Sequence, residues 1–228
     1  LLVHFASSLP EGMKHSVVDN IVEEYNNGDV DLHQMAADLA GISRKEAKVV
    51  NLGIMYGMGV GKLSNQLDIA KDEAKDILEL YNEKVPFVKQ LANMASQRAE
   101  SQGQIRTILG RKCRFHLWEP RTFGYNKALP LEDAKKEYGG LGMLRRAFTY
   151  KALNKLIQGS AADQTKKAMV DCYAENLVPM LTVHDELCFS VESQEQAKRI
   201  TEIMETGLPL NVPTKVDCEL GDNWGEAG

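Results

Sequence analysis

His184, Asp185 and Glu186 stand between two apolar runs, Met180 to Val183 and Leu187 to Val191, a pattern that predicts a β-hairpin. A tight turn between strands would project two carboxylates from a rigid base. Such a pair offers oxygen alone, the donor that Mg²⁺ takes, and Mg²⁺ commonly bridges to substrate phosphates. Acidic turns on ordinary surfaces are commoner, so the tripeptide by itself leaves both readings open.

A second set repeats every four residues: Arg44, Lys48, Leu52 and Tyr56. On a helix this spacing puts neighbours on one slowly turning face, with both cations in the amino-terminal half. Two cations beside the positive helix end suit a triphosphate, while a solvated amphipathic face is the plainer alternative. Ser43 followed by Glu46 forms a capping-box pattern, and Gly57 and Gly59 mark the stop after Tyr56.

The third set lies in TYKALNKLIQGSAADQTKKAM, where Asn154 and Gln158 share a helix face. Gly159, Ser160, Ala161 and Ala162 keep that helix thin, either for close approach by another surface or for tight packing. Two basic tracks come before it or overlap its start: Arg106, Arg111, Lys112 and Arg114, then Arg145, Arg146, Lys151 and Lys155. Local tracks of this kind suit a nucleic-acid backbone or a solvated face.

The elements that must hold these residues are mixed. Helices are expected over Met13–Tyr25, stopped by Asn26-Asn27-Gly28, then over Leu32–Leu39, 43–56 and within 62–101. Strands are expected at Gln104–Leu109 and Lys112–Leu117, a loop-rich stretch at 119–140, and a long helix from Gly142 to Cys172. A helix at Gln194–Met204 and a last strand near Lys215–Leu220 complete an α+β class.

At 228 residues and 43% hydrophobic content the chain can bury a sizeable core. The formal charge of -5 argues against wholesale polyanion binding and leaves only the local tracks. Cys113, Cys172, Cys188 and Cys218 form no CxxC pair, which fits free thiols in a reducing compartment. No apolar run reaches the roughly 18 residues a membrane span needs, and no signal-peptide pattern opens the chain; a cytoplasmic protein without membrane partners is expected. The apolar start LLVHFA reads as a helix cut through its middle, so upstream sequence is expected.

RKEAKVVNLGIMYG resembles motif B of the DNA polymerase I family, family A. LTVHDELCFSV resembles motif C, the Asn154 segment resembles the helix ending in QGTAAD, DLHQMAADLAG resembles the DIH segment, and RTILGRKCRF resembles the T-x-x-G-R-R segment. The resemblance runs to the terminal GDNWGEAG, is least typical at 119–140, and is similar to a bacteriophage branch. It implies a right-hand fold, with helices leading into the fingers at 1–30, helical fingers at 31–102, and a palm with an antiparallel sheet at 103–228.

The resemblance also implies roles. Arg44, Lys48 and His33 would hold the triphosphate, with Lys48 also protonating the departing pyrophosphate. Leu52 would lie by the incoming sugar, where the family usually has Phe or Tyr. Tyr56 and Gly57 would meet the templating base; Asn154, Gln158, Arg106 and Arg111 would contact DNA, and His184 the primer end. Tyr150 departs from the pattern, standing where many members have a basic residue. Asp185 and Glu186 would bind catalytic Mg²⁺, two ions, one shared with a motif A aspartate that this chain lacks and that belongs just before Leu1.

The function so implied is template-directed DNA synthesis on primer-template DNA from deoxynucleoside triphosphates, inside a bacterial host cell. The chain alone would be inactive, an excerpt or one half of a split enzyme that needs the upstream segment carrying motif A. The alternatives are a single-subunit RNA polymerase relative and a non-catalytic primer-template clamp. HDE and LNKLIQGSAAD favour DNA over the first, and magnesium-dependent nucleotide binding would exclude the second.

Overall fold

In the computed structural model all residues are described except 15, 16, 29, 30, 32, 35, 36, 39, 40, 123, 125 and 228. The first part is helical: α1 (Leu2–Ser7), α2 (Val17–Asn27), α3 (Arg44–Met55), α4 (Val60–Leu67), α5 (Lys71–Lys84) and α6 (Pro86–Gln102). Pro86 starts α6, where its missing N–H costs nothing, and Gly103 ends it at φ +67°. Phe87, Val88, Leu91, Ala95 and Ala99 line the buried side of α6, the four-residue spacing a core-facing helix needs. α6 packs on α1, α5 and the later helix α8.

α3 forms as its sequence predicts. The Ser43 side chain accepts from the Glu46 N–H at 3.2 Å, and the Glu46 carboxylate accepts from the Ser43 N–H at 2.7 Å. Two backbone donors at the helix start are thereby satisfied. Ser43→Ala should lower stability by about 1 kcal/mol, readable as a fall of roughly 2–4 °C in melting temperature.

After α6 come two hairpins and a small sheet. β1 (Gln104–Arg106) and β2 (Lys112–Arg114) pair antiparallel. β3 (Leu117–Pro120), β4 (Leu129–Pro130) and β5 (Leu144–Arg146) form an antiparallel sheet in the order β4-β3-β5. Helix α7 (Leu131–Tyr138) leans on β3, with Ala134 buried. α8 (Ala152–Ala174) follows, then the hairpin β6 (Leu181–Val183) and β7 (Glu186–Cys188), and α9 (Gln194–Thr206).

One core joins the helices from α1 to α6 with Ile105, Phe115, Ala152, Leu153 and Val212. A smaller cluster, Cys172, Leu177, Ile200 and Ile203, anchors the last hairpin through Phe189 and Val191. The α+β class holds, and no helix among the described residues is long and apolar enough to cross a membrane.

Several boundaries differ from expectation. The helix expected over Gly142–Cys172 begins only at Ala152, because 144–146 are captured by β3 and Phe148 turns left-handed at φ +62°, a conformation no helix interior accepts. The stretch 119–140 is less loop-like than its Pro and Gly content suggested, since it holds part of the sheet and all of α7. The strand expected at 215–220 is irregular, its backbone held by side chains: Val216 N–H donates to Glu205 at 3.0 Å, and Lys215 reaches the Gly28 carbonyl at 2.9 Å. In the 13–25 stretch Met13 closes a 3₁₀ turn, Glu11–Met13, and the described α-helix runs over Val17–Asn27. Of the short helix expected at 32–39, residues 33, 34, 37 and 38 are helical and the other four lie outside the described residues.

Candidate functional site

α3 turns one side inward and the other out. Ala47, Val50, Asn51 and Gly53 are buried, whereas Arg44, Lys48 and Tyr56 are exposed and Leu52 is half-buried. The four-residue series therefore lies along the open side of a helix fixed by its opposite face.

Each member has a distinct setting. Arg44 Nε donates to Asp31 at 2.7 Å. That hydrogen bond holds the Asp31 carboxyl below its ordinary range, aided by the N–H groups of Gln34 and His33. His33 comes up beside α3, its Nδ1 2.8 Å from the Asn51 amide nitrogen. Burial lowers the His33 pKa; Asp31 opposes this, and the Arg44 and Lys48 cations add to the lowering. The ring is thus neutral near pH 7, with Nδ1 accepting from Asn51 and the proton on Nε2. A cavity lined in part by Asn51, Met55, Tyr81 and Phe87 lies beside His33, and Arg44, Lys48 and Tyr56 take no part in it.

The carboxy-terminal end of α3 meets α8. Tyr56 caps the helix and Gly57 follows at φ +70°. A Cβ on Gly57 would sit 3.1 Å from the Tyr150 ring, so both conformation and space call for glycine there. Gln158 Nε2 donates to the Tyr56 hydroxyl at 2.9 Å. Asn154, one turn earlier on α8, is half-buried. Residues 102 apart in sequence thus form one surface.

The basic loop after β1 is tied to the same helix. Arg111 Nε donates to Asp163 at 2.9 Å, and its Nη2 reaches the Gly159 carbonyl at 2.7 Å. Ser160 Oγ accepts from the Ile108 N–H at 3.0 Å. Burial alone would raise the Asp163 pKa, but hydrogen bonds from Thr107, Arg111 and the Leu109 N–H outweigh it and hold the carboxyl low. Gly159 lets the loop close in, since a Cβ there would fall 2.7 Å from a Thr107 methyl. Arg106 is exposed and donates to the Gly110 carbonyl at 3.0 Å.

His184, Asp185 and Glu186 occupy the tip of the last hairpin. Val183 pairs with Glu186, so the turn is His184-Asp185, with His184 left-handed at φ +55°. All three side chains are exposed. A non-glycine residue in that conformation is uncommon and marks a constrained turn. Among the described residues no group of three or more His, Cys, Asp or Glu could hold a metal ion. Two adjacent carboxylates fit a hard cation only in part, as Mg²⁺ bound by one or two carboxylates requires further oxygen ligands from phosphate or water.

Sequence reasoning therefore found the exposed side of α3, the Gln158 face and the acidic turn. It missed Asp163, whose signal was a carboxylate directly after GSAA with a basic loop nearby, and Asp31, which stands two residues before His33 in the DLH tripeptide.

The sequence profile of DNA polymerase family A matches residues 14–226. A DNA-directed DNA polymerase of Pseudomonas phage M6 is 34% identical, the match covering 100% of this chain and 36% of that protein. DNA polymerase I of Bacillus caldotenax is 33% identical over 92% of this chain and 24% of the relative. The solved POL domain of Pol1 from M. smegmatis, in complex with DNA primer-template and dNTP, superposes with a TM-score of 0.71 at 28% identity, over 99% of this chain and 38% of that one. The chain spans about a third or less of the length of these curated relatives.

Proposed function

The chain belongs to DNA polymerase family A, and from that membership we propose that it supplies the nucleotide-binding and duplex-binding surfaces of a template-directed DNA polymerase. The observation that carries the reading is the 2.9 Å hydrogen bond joining Gln158 to Tyr56. It puts the cationic, exposed side of α3 and the Asn154/Gln158 face of α8 on one continuous surface, as a nascent base pair beside its triphosphate requires. The phage and bacterial relatives support action within a bacterial cell.

In this reading Arg44, Lys48 and His33 bind the triphosphate of a deoxynucleotide. Lys48 delivers a proton to the leaving pyrophosphate, and Leu52 packs by the sugar. Tyr56 and Gly57 face the templating base; Asn154, Gln158, Arg106 and Arg111 hold the duplex, and His184 the primer end. We assign helices leading into the fingers to 1–30, the fingers to 31–102 and the palm to 103–228. Asp185 and Glu186 would hold Mg²⁺, which when bound offsets phosphate charge and favours the primer hydroxylate.

Two carboxylates do not complete a two-ion site, and a second aspartate on an upstream segment would share one ion. The hairpin supports such a segment in its own way. β6 and β7 pair only with each other among the described residues, so the hairpin presents unpaired strand edges. Val170, Tyr173, Val178, Met180 and Leu181 are exposed around it, a strip that invites covering.

The test is extension of a labelled primer with Mg²⁺ and four deoxynucleotides, by this chain with and without the upstream segment supplied separately. Extension only in the mixture supports the reading; extension by this chain alone refutes the need for a second segment. Failure of both, with DNA still bound, favours a clamp.

The Arg44–Asp31 pair bears on nucleotide affinity. Its side chains are 57% and 40% exposed, so the pair is worth under about 1 kcal/mol and releases Arg44 readily to a phosphate. A charge-assisted bond to phosphate is worth roughly 1.5–3 kcal/mol. Arg44→Ala should therefore raise KM for deoxynucleotides about ten- to a hundredfold with kcat little changed. Steady-state kinetics at saturating primer-template check this, and a fall confined to kcat would remove Arg44 from ground-state binding.

A further inference from the structure

Between β5 and α8 the chain makes one 3₁₀ turn, Thr149–Lys151, entered through left-handed Phe148. The turn displays two aromatic rings that the core does not use: Phe148 is 39% exposed and Tyr150 is 55% exposed. Lys151 Nζ lies 4.9 Å from the centre of the Phe148 ring and 5.6 Å from that of Tyr150. Tyr150 also abuts Gly57, beside Tyr56, itself 48% exposed. The exposed rings thus continue outward from the Tyr56–Gln158 surface.

The charge around the turn is one-sided, as residues 138–162 contain no Asp or Glu. The other cations of the stretch face different groups, away from these two rings: Arg145 pairs with Glu119 at 2.9 Å, Arg146 lies over Trp118 at 4.5 Å, and Lys155 lies over Phe115 at 4.8 Å. Among the described residues Lys151 meets no carboxylate at ion-pair distance. Exposed rings alternating with a cation that no carboxylate pairs match single-stranded nucleic acid, whose bases stack on aromatics while phosphates take the cation. A protein partner would find only a small apolar area carrying an unanswered positive charge.

We propose that Tyr150, with Phe148 and Lys151, forms a stacking platform for the unpaired template strand where it leaves the Tyr56 surface. This rests on the polymerase reading above. Tyr150 supplies the π-face to the first unpaired base, Phe148 a second apolar contact, and Lys151 the contact to the phosphate between them.

The test uses the protein carrying this chain and a primer-template with 2-aminopurine at the first unpaired template position, beside a blunt duplex of the same sequence. The wild type should quench the probe and bind the overhang more tightly than the blunt duplex. Tyr150→Leu, which keeps apolar packing on Gly57, should abolish the quench and weaken overhang binding about tenfold, the size of one lost base stack, with blunt-duplex binding unchanged. Tyr150→Phe should behave as the wild type. Retention of both signals in Tyr150→Leu overturns the proposal, as does equal weakening of overhang and blunt duplex, which would make Tyr150 a support for Gly57. A wild type that binds neither DNA overturns the polymerase reading itself.

Discussion

Asp185→Asn in the protein carrying this chain should lower primer extension by roughly a thousandfold or more while leaving both folding and primer-template affinity near wild type. Asp185 sits in the two-residue turn between β6 and β7 with its side chain exposed, and substitutions at such places usually shift stability within about 0.5 kcal/mol. A carboxylate that helps hold Mg²⁺ contributes several kcal/mol of transition-state stabilisation, and about 4 kcal/mol corresponds to a thousandfold in rate. The amide keeps the shape and removes the charge, so any loss reports charge. Glu186→Gln should cost less, because Glu186 opens β7 and its Oε1 also lies 3.6 Å from the Cys188 thiol. Single-turnover extension beside a melting curve separates the outcomes. A fall in rate of less than tenfold removes Asp185 from the metal site, and a large fall in melting temperature makes the turn structural.

What was legible in the sequence was whatever local rules govern. The capping box at Ser43 and Glu46, the stop at Gly57 and the hairpin around His184 each follow from a few neighbouring residues, and each stands where expected. The failures share the opposite cause. Residues 144–146 look helical in isolation and became a strand because Trp118, Glu119 and Pro120 offered a partner edge; no local pattern carries that information. Lys215–Leu220 alternate like a strand, yet no edge pairs with them among the described residues, and the remote Glu205 side chain takes the Val216 N–H instead. The site divides in the same way. Arg44 and Lys48 are neighbours by helical period alone, as are Leu52 and Tyr56, whereas the Asp31 partner of Arg44 and the Gln158 partner of Tyr56 exist only after the chain has folded.

Removing Asp163 should cost more stability than removing any exposed ion-pair partner in the molecule. Its side chain is 5% exposed while that of its partner Arg111 is 46% exposed. Breaking a fully buried pair costs about 3–5 kcal/mol and an exposed one under about 1 kcal/mol, so Asp163→Ala should cost about 2–3 kcal/mol. Three donors lose their acceptor together: Arg111, Thr107 and the Leu109 N–H. The loop from β1 to β2 then comes away from α8, and Arg111 loses the orientation in which it is proposed to meet DNA. A fall of roughly 5–10 °C in melting temperature should accompany the change. The same carboxylate sets an acid dependence. Its folded pKa lies below the ordinary 3.8, so the stabilisation is fully present above the unfolded value and is lost as pH falls through the folded one. Denaturant midpoints of wild type and Asp163→Asn should differ at pH 7 and converge as pH drops below about 4. A gap that stays constant down to pH 3 would show that the charge of Asp163 is not what stabilises the loop, leaving Arg111 to be positioned by the Gly159 carbonyl.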